Sequence, residues 1–242
     1  NEILAQAAFL RAYFYFELVR FFGDVPLVVD RRLSAGEVSS LARTPKAEVY
    51  NQIEADLTYA AGILDWTNAT KGRITKGATL ALLGKVHLYQ SEFSGAATVL
   101  DQVISEGPYD LFDDYSTLFR VSSEGNEETV FDIQYVGSEG GSYGCFICLE
   151  GFAAVGFQGI RGYEGPIYGV GNSYNLPTAD LYNAFDANDP RRDIAVLDIE
   201  AFKNSQPNPG DIVYTEGAGG HTGYYNNKYI KGGRAKPVKA TL

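Results

Sequence analysis

Residues 7–26, AAFLRAYFYFELVRFFGDVP, limit what this chain can fold into more than any other stretch. They read as a long aromatic helix. At 100° per residue, Glu2, Gln6, Tyr13, Glu17 and Arg20 share one narrow stripe. Leu4, Ala7, Phe14, Leu18 and Phe22 lie on the other side, and Arg11 falls in the middle of that apolar side. An unpaired charge in a core is costly, so the pattern calls for an acidic partner on whatever packs beside this helix. Glu17 and Arg20 can pair at i, i+3 on the wet face. Gly23 suits the left-handed end of a helix, and Asp24-Val25-Pro26 forces an extended exit.

Residues 27–43 read as a connecting arm. A second helix starts with Thr44 as cap and Pro45 in the first turn. Its stripe is Val49, Tyr50, Ile53, Leu57, Ala60, Ala61 and Leu64. Asp56 lies at the edge of this stripe, which makes it the candidate partner for Arg11. On this reading Asp56→Ala strands the arginine and costs more than Arg11→Met. Two further helices are expected over residues 76–90 and 94–105, the latter with Ala96, Ala97, Leu100, Val103 and Ile104 inward. Leu83-Gly84, Ala96 and Pro108 fall at tetratricopeptide spacing. Gly84 and Ala96 would let antiparallel helices approach closely, and Pro108 would break the chain. A generic helical hairpin with the same residues is the alternative. The lone Trp66 reads as hairpin packing.

The character changes after Pro108. A short helix is expected over residues 115–119 and a strand over 130–136, VFDIQYV. Glycine is dense from 137 to 171, with Tyr143, Phe146, Phe152, Phe157, Tyr163 and Tyr168 spaced through it. This is too aromatic for a disordered linker and reads as ordered, irregular loops of the kind that carry binding. A helix over 177–185 capped by Thr178, a polar turn over 186–193 and a strand over 194–199 follow. Tyr224, Tyr225 and Tyr229 cluster near the end. The fold class is therefore mainly α. Tetratricopeptide-like helix pairs form a scaffold over residues 1–108, and an irregular loop-rich region with short strands spans 109–242, the two packed as one domain.

A formal charge of −10 argues against nucleic acid and against an electrostatic grip on anionic lipid. No apolar run is long enough to span a bilayer. Asn1 starts the chain almost inside a helix, as a processed, trimmed or partial chain would. Cys145 and Cys148 form C-F-I-C. Zinc there would need two more ligands, and only His87 and His221 are available, far apart in sequence. A redox pair belongs at a helix start, so packed thiols or a local disulfide is the reading. Asp186, Asn188 and Asp189 resemble the start of a calcium loop without its glycine and distal glutamate. Asp189 with Arg191 and Arg192 reads instead as a turn brace. Glu150, Glu164 and Asp180 have no spacing that marks a glycosidase pair. There is no phosphate loop, no Ser/His/Asp arrangement and no metalloprotease helix, so no catalytic residue, metal or cofactor is expected.

Residues 9–27, FLRAYFYFELVRFFGDVPL, resemble the helix signature of SusD/RagB-type proteins. The resemblance continues in order. It runs through Val49-Tyr50 with Ile53-Glu54-Ala55-Asp56-Leu57, then Gly72-Arg73-Ile74-Thr75-Lys76-Gly77-Ala78 and Leu83-Gly84-Lys85-Val86. Tyr109-Asp110-Leu111, Asn126-Glu127-Glu128 with Val130-Phe131, and Asp189-Pro190-Arg191-Arg192 complete it. It implies a lipid-anchored protein on the outward face of a Bacteroidetes-type outer membrane, which binds a glycan or other nutrient for a TonB-dependent transporter and does not catalyse. It also implies four tetratricopeptide-like helix pairs and a loop-rich ligand surface. This chain would hold the middle portion, with the anchor outside it.

Sugars present apolar C–H faces that aromatic rings stack on, and hydroxyls that Asn and Arg bind. The candidate ligand residues are Tyr143, Arg161, Tyr163, Tyr168, Asn172, Tyr174, Asn175, Tyr224 and Tyr225. The bland alternative is that these rings bury against the scaffold. Capture of an oligosaccharide for a partner transporter is the leading expectation. The rivals are a helical-repeat adaptor that binds only protein, and a glycoside hydrolase.

Overall fold

Regular spacing of apolar residues makes the first 110 residues helical. The computed structural model describes residues 1–134, 157–216, 221–228 and 239–241. Helix α1 is Glu2–Phe22, and Gly23 closes it at φ 67° with its N–H on the Val19 carbonyl. The arm that follows holds one turn, α2 (Ala35–Val38), where the Glu37 carboxylate accepts from the Ser34 N–H and hydroxyl. Helix α3 is Lys46–Ala61. Thr44 does not cap it, because Thr44 pairs with Val25 in an isolated bridge. Asp24 instead accepts from the Lys46 N–H at 2.8 Å, so the end of α1 caps α3. Helix α4 is Lys76–Tyr89, with the Thr75 hydroxyl accepting from the Ala78 N–H, and α5 is Phe93–Glu106.

The chain divides into two compact units. The first comprises residues 1–110 and 127–131. Within it α1 packs on α3, α3 on α4 and α4 on α5, as stacked helical hairpins do. Its core joins Ala5, Phe9, Ala12, Phe16 and Val19 with Val49, Ile53, Leu57 and Ala60 of α3 and Ala78, Leu83 and Val86 of α4. Phe131 meets Phe9 edge-on at 5.6 Å between centroids.

This corrects the face assigned to α1. Leu4, Phe14, Leu18 and Phe22 are exposed, Phe14 by 61%. The helix is apolar around most of its circumference, so the polar stripe does not by itself define the face opposite. The small residues Ala5, Ala8 and Ala12 bring α1 close to its neighbours and decide the matter. Arg11 stands at the edge of the buried face. Its guanidinium grips Asp56 at 2.7 and 2.6 Å and also donates to the Val29 carbonyl at 2.8 Å. That hydrogen-bonded carboxylate raises the Arg11 pKa above its ordinary value. Asp56 is the buried member, with a side chain 6% exposed against 33% for Arg11. The cost order is thereby reversed: removing Arg11 strands a buried carboxylate held only by Gln52, whereas removing Asp56 leaves an arginine that still reaches a carbonyl and water.

Helix α5 needs a similar correction. Ala96 and Val103 are buried, but Ala97 and Ile104 face out. The close approach expected of Gly84 and Ala96 is present: Ala96 is buried, and a Cβ at Gly84 would stand 2.6 Å from the Leu100 side chain of α5. Pro108 is exposed just past the end of α5.

The second unit comprises residues 111–126 and 132–242. Residues 115–119 form turns rather than a helix, with Asp114 accepting from the Ser116 N–H. The strand expected over 130–136 is confined, among the described residues, to β1 (Asp132–Gln134), because Val130 and Phe131 belong to the helical unit. Strand β2 (Val196–Asp198) pairs antiparallel with β3 (Tyr224–Asn226), and β1 with β4 (Lys239–Thr241). Short helices α6 (Ala179–Ala184), α7 (Arg191–Ala195) and α8 (Ile199–Ser205) lie between. Thr178 caps α6. The core is Ile160, Tyr163, Leu197, Ile199, Ile212, Tyr214 and Tyr225.

Candidate functional site

A ledge in the irregular unit is built from residues 157–161 and 170–175. Two glycines let its two strips of backbone touch, since a Cβ at Gly171 would lie 2.3 Å from the Gly159 Cα. The strips are tied by Gly171 N–H to the Ile160 carbonyl (2.8 Å), Ser173 N–H to the Gly159 carbonyl (2.7 Å) and Tyr174 N–H to the Phe157 carbonyl (2.7 Å). The Ser173 hydroxyl accepts from the Arg161 N–H at 2.9 Å. Ser173 and Asn175 both hold left-handed backbone, φ 56° and 55°. That conformation costs a non-glycine residue about 1–2 kcal/mol, which the surrounding hydrogen bonds offset.

The ledge presents Tyr174, 55% exposed. Its ring leans on Phe157, 6.0 Å between centroids, and the Arg161 guanidinium lies 6.0 Å from the ring centre. Arg161 is held there by donating to the Asn172 carbonyl at 3.0 Å. The side chains of Asn172 and Asn175 are exposed alongside. An exposed, braced ring beside a guanidinium, with two exposed asparagines one and two residues away along the chain, can stack on an apolar face and bind hydroxyls at its rim.

The structure thus brings together Arg161, Asn172, Tyr174 and Asn175. It does not bring the other candidates to this surface. Tyr163 is buried and donates to the Pro166 carbonyl at 2.6 Å. Tyr225 is fully buried, with its hydroxyl 3.1 Å from His221 Nδ1. Burial pushes both phenols above their ordinary pKa. Tyr168 is half-buried, edge-on to Phe202 and hydrogen-bonded to Asn227. Tyr224 is half-buried and stacks on Tyr182 at 4.6 Å, so one of its flat faces is taken. Tyr143, Glu150, Tyr229 and the Cys145–Cys148 pair lie outside the described residues. Phe157 was read from sequence as one of the loop aromatics but not as a site residue, and Ser173 was missed. The signal beyond the aromatic itself was the pair of glycines, Gly159 and Gly171, two residues from each of them.

The polar turn at 186–193 spends its oxygens on itself. Asp186 accepts from the Asn188 N–H, and Asp189 accepts from both the N–H and the guanidinium of Arg191. Arg191 holds the Asp189 carboxyl down to about 2. Arg192 pairs with Asp193 rather than with Asp189. In the helical unit the Lys76 ammonium sits 4.9 Å from the Trp66 ring centre. An open cleft of about 560 Å³ lies beside Glu2, Gln6, Asn68 and Arg73, with no aromatic residue in its lining. Among the described residues no helix is long and apolar enough to cross a membrane.

A tetratricopeptide-like helical unit joined to an irregular, aromatic unit is the architecture of SusD-like proteins. The comparisons with known proteins point to the SusD/RagB type. The family profile described as "Starch-binding associating with outer membrane" matches residues 1–88. SusD-like protein P2 of Formosa agariphila is 36% identical over 210 residues, which is 85% of this chain and 40% of that protein. A solved laminarin-binding SusD-like protein superposes with a TM-score of 0.83 at 31% identity, covering 97% of this chain and 55% of that one. Surface glycan-binding protein A from Bacteroides thetaiotaomicron, solved in complex with laminarihexaose, has the same fold. It superposes with a TM-score of 0.75 at 21% identity over 96% of this chain and 51% of that one. The chain therefore spans about two fifths of that Formosa relative and about half of each of these two solved structures.

Proposed function

We propose that the chain is part of a cell-surface glycan-binding protein that holds an oligosaccharide on the Tyr174 ledge for delivery to a TonB-dependent outer-membrane transporter. The observation that carries this is the ledge itself. A braced, outward ring with Arg161, Asn172 and Asn175 around it meets both needs of a sugar, a flat apolar face and hydroxyl partners. Similarity to SusD-like proteins supports the role and the outward-facing outer-membrane location. The laminarin-binding relative makes β-glucan oligosaccharides the first ligands to try. The chain acts by binding and not by turnover, needs no cofactor, and takes no nucleic acid at a net charge of −10.

The test is isothermal titration of laminarin oligosaccharides and a wider glycan panel into the chain. Tyr174→Ala should weaken binding of the preferred glycan about tenfold or more, the worth of one stacked ring. Tyr163→Phe should leave it unchanged. Equal losses in both variants, or none in either, would remove the ledge as the binding surface. A reducing-sugar assay on the bound glycan should show no turnover, and turnover would replace binding by hydrolysis as the function.

A further inference from the structure

We propose that Glu54, His87 and Glu92, in the helical unit, form a binding site for a first-row divalent cation of the zinc class. The site is separate in its residues from the ledge and does not depend on glycan binding. Glu54 comes from α3, His87 from the last turn of α4, and Glu92 from the residue before α5. One ligand atom from each lies within 4.8 Å of the others. The connection between α4 and α5 is bent for this. Ser91 takes a left-handed φ of 63°, the Glu92 N–H returns to the His87 carbonyl at 2.9 Å, and the Glu92 carboxylate meets His87 Nδ1 at 2.6 Å. The Gln90 amide donates to Glu54 and holds that carboxylate toward the same place.

The donor set selects the ion. One imidazole nitrogen with two carboxylates suits zinc and its first-row neighbours, whereas calcium and magnesium take oxygen alone. With a neutral imidazole the cluster carries two negative charges, which a divalent cation cancels. Metal–ligand bonds of about 2.0–2.2 Å set tetrahedral donors about 3.4 Å apart, so the Glu92 oxygen has to draw back from Nδ1 and the more distant donor has to close in, each by roughly 1 Å and within reach of carboxylate rotation. The imidazole lone pair then faces the ion in place of the Nδ1 contact with Glu92. The His87 side chain is 16% exposed and that of Glu92 49%, so the nitrogen is shielded while an entry side stays open for the ion and its waters.

The experiment is titration of zinc chloride into the chelator-treated chain, followed by calorimetry and by the imidazole NMR signals of its two histidines. One equivalent should bind and shift only one imidazole. That shift should persist in His221→Gln and in a Cys145→Ser, Cys148→Ser double variant. His87→Ala and Glu92→Gln should each weaken binding about a hundredfold or more, since losing a ligand costs at least as much as losing the outer-shell group that orients one. Circular dichroism of each variant reports whether it folds. Glu92→Gln keeps an oxygen for His87 to bond, so a His87→Ala chain that fails to fold leaves the Glu92→Gln and His221→Gln arms decisive. Absence of a bound equivalent overturns the site. So does binding that survives Glu92→Gln, disappears with the cysteines, or shifts the His221 imidazole, each of which marks an adventitious ion only.

Discussion

Among the described residues the helical unit buries Phe9, Phe16, Val49, Ile53, Leu57 and Val86 with Tyr50 as its one buried tyrosine and Thr79 fully buried, whereas the irregular unit buries Tyr163, Tyr214 and Tyr225 beside Ile160, Ile199 and Ile212. The difference follows from the backbone. A helix satisfies its own N–H and C=O groups, so its core can be purely apolar. Irregular backbone leaves carbonyls that need donors, and a tyrosine supplies apolar area with an O–H at its far end. Tyr163 does this for the Pro166 carbonyl, whereas the Tyr225 hydroxyl meets the His221 imidazole and the Tyr214 hydroxyl is buried without a partner among the described residues. Tyrosine density thus reflects in part how this unit is cored and does not by itself mark a ligand surface. What marks the ledge is a tyrosine left outside that core, Tyr174, on backbone bent to hold it there.

The comparison can be broken in order of expected effect. Phe16→Ala empties the helical core and should cost about 3–5 kcal/mol in urea unfolding with little change in glycan affinity. A small cost would mean that α1 is not packed as described. Arg11→Met should cost about 2 kcal/mol, below the range for a fully buried pair because Arg11 is partly exposed, and more than Asp56→Ala. Finding Asp56→Ala the worse variant would show that the arginine is the stranded partner. In the irregular unit, Tyr163→Phe keeps the ring and loses only the O–H, and should cost about 1 kcal/mol. No change at all would undercut the claim that tyrosine hydroxyls satisfy the loops.

The two smallest effects sharpen the contrast. Phe14→Ala, on the exposed side of α1, should change the stability of this chain by no more than about 0.5 kcal/mol. A loss near that of Phe16→Ala would show that both faces of α1 are buried. Asp189 ties the polar turn of the irregular unit. Its folded pKa of about 2 lies below the ordinary 3.8, so its contribution is present above about 3.8 and is lost as pH falls from there through about 2. Asp189→Asn should flatten the acid limb of stability in that window, read by fluorescence-detected unfolding. An unchanged limb would mean that Arg191 does not hold the turn.

The helices of the first unit were legible because 3.6-residue periodicity and punctuation by Gly, Pro and Thr are local signals. The partner of Arg11 was legible for a related reason, since Asp56 borders a stripe that must meet another helix. The face of α1 was not, because Leu4, Phe14, Leu18 and Phe22 are as apolar as Phe9 and Phe16, and only the small residues Ala5, Ala8 and Ala12 separate the two sides. In the second unit the candidate tyrosines were visible, but their exposure was not. Tyr163, Tyr174 and Tyr225 sit in similar glycine-rich or polar sequence, and nothing local tells which ring turns outward.

By itself the sequence determined the helical first unit, the change of character after Pro108, the aromatic makeup of the second unit and the resemblance to SusD-like proteins. These rest on local pattern and on residue order, which need no partner to be read. Only the tertiary structure decided which face of α1 is core, that Asp56 and not Arg11 is the buried charge, which tyrosines are buried in the second unit, and that Glu54, His87 and Glu92 meet. Burial and convergence are properties of packing, set by which element arrives opposite, and no single stretch of chain carries that information.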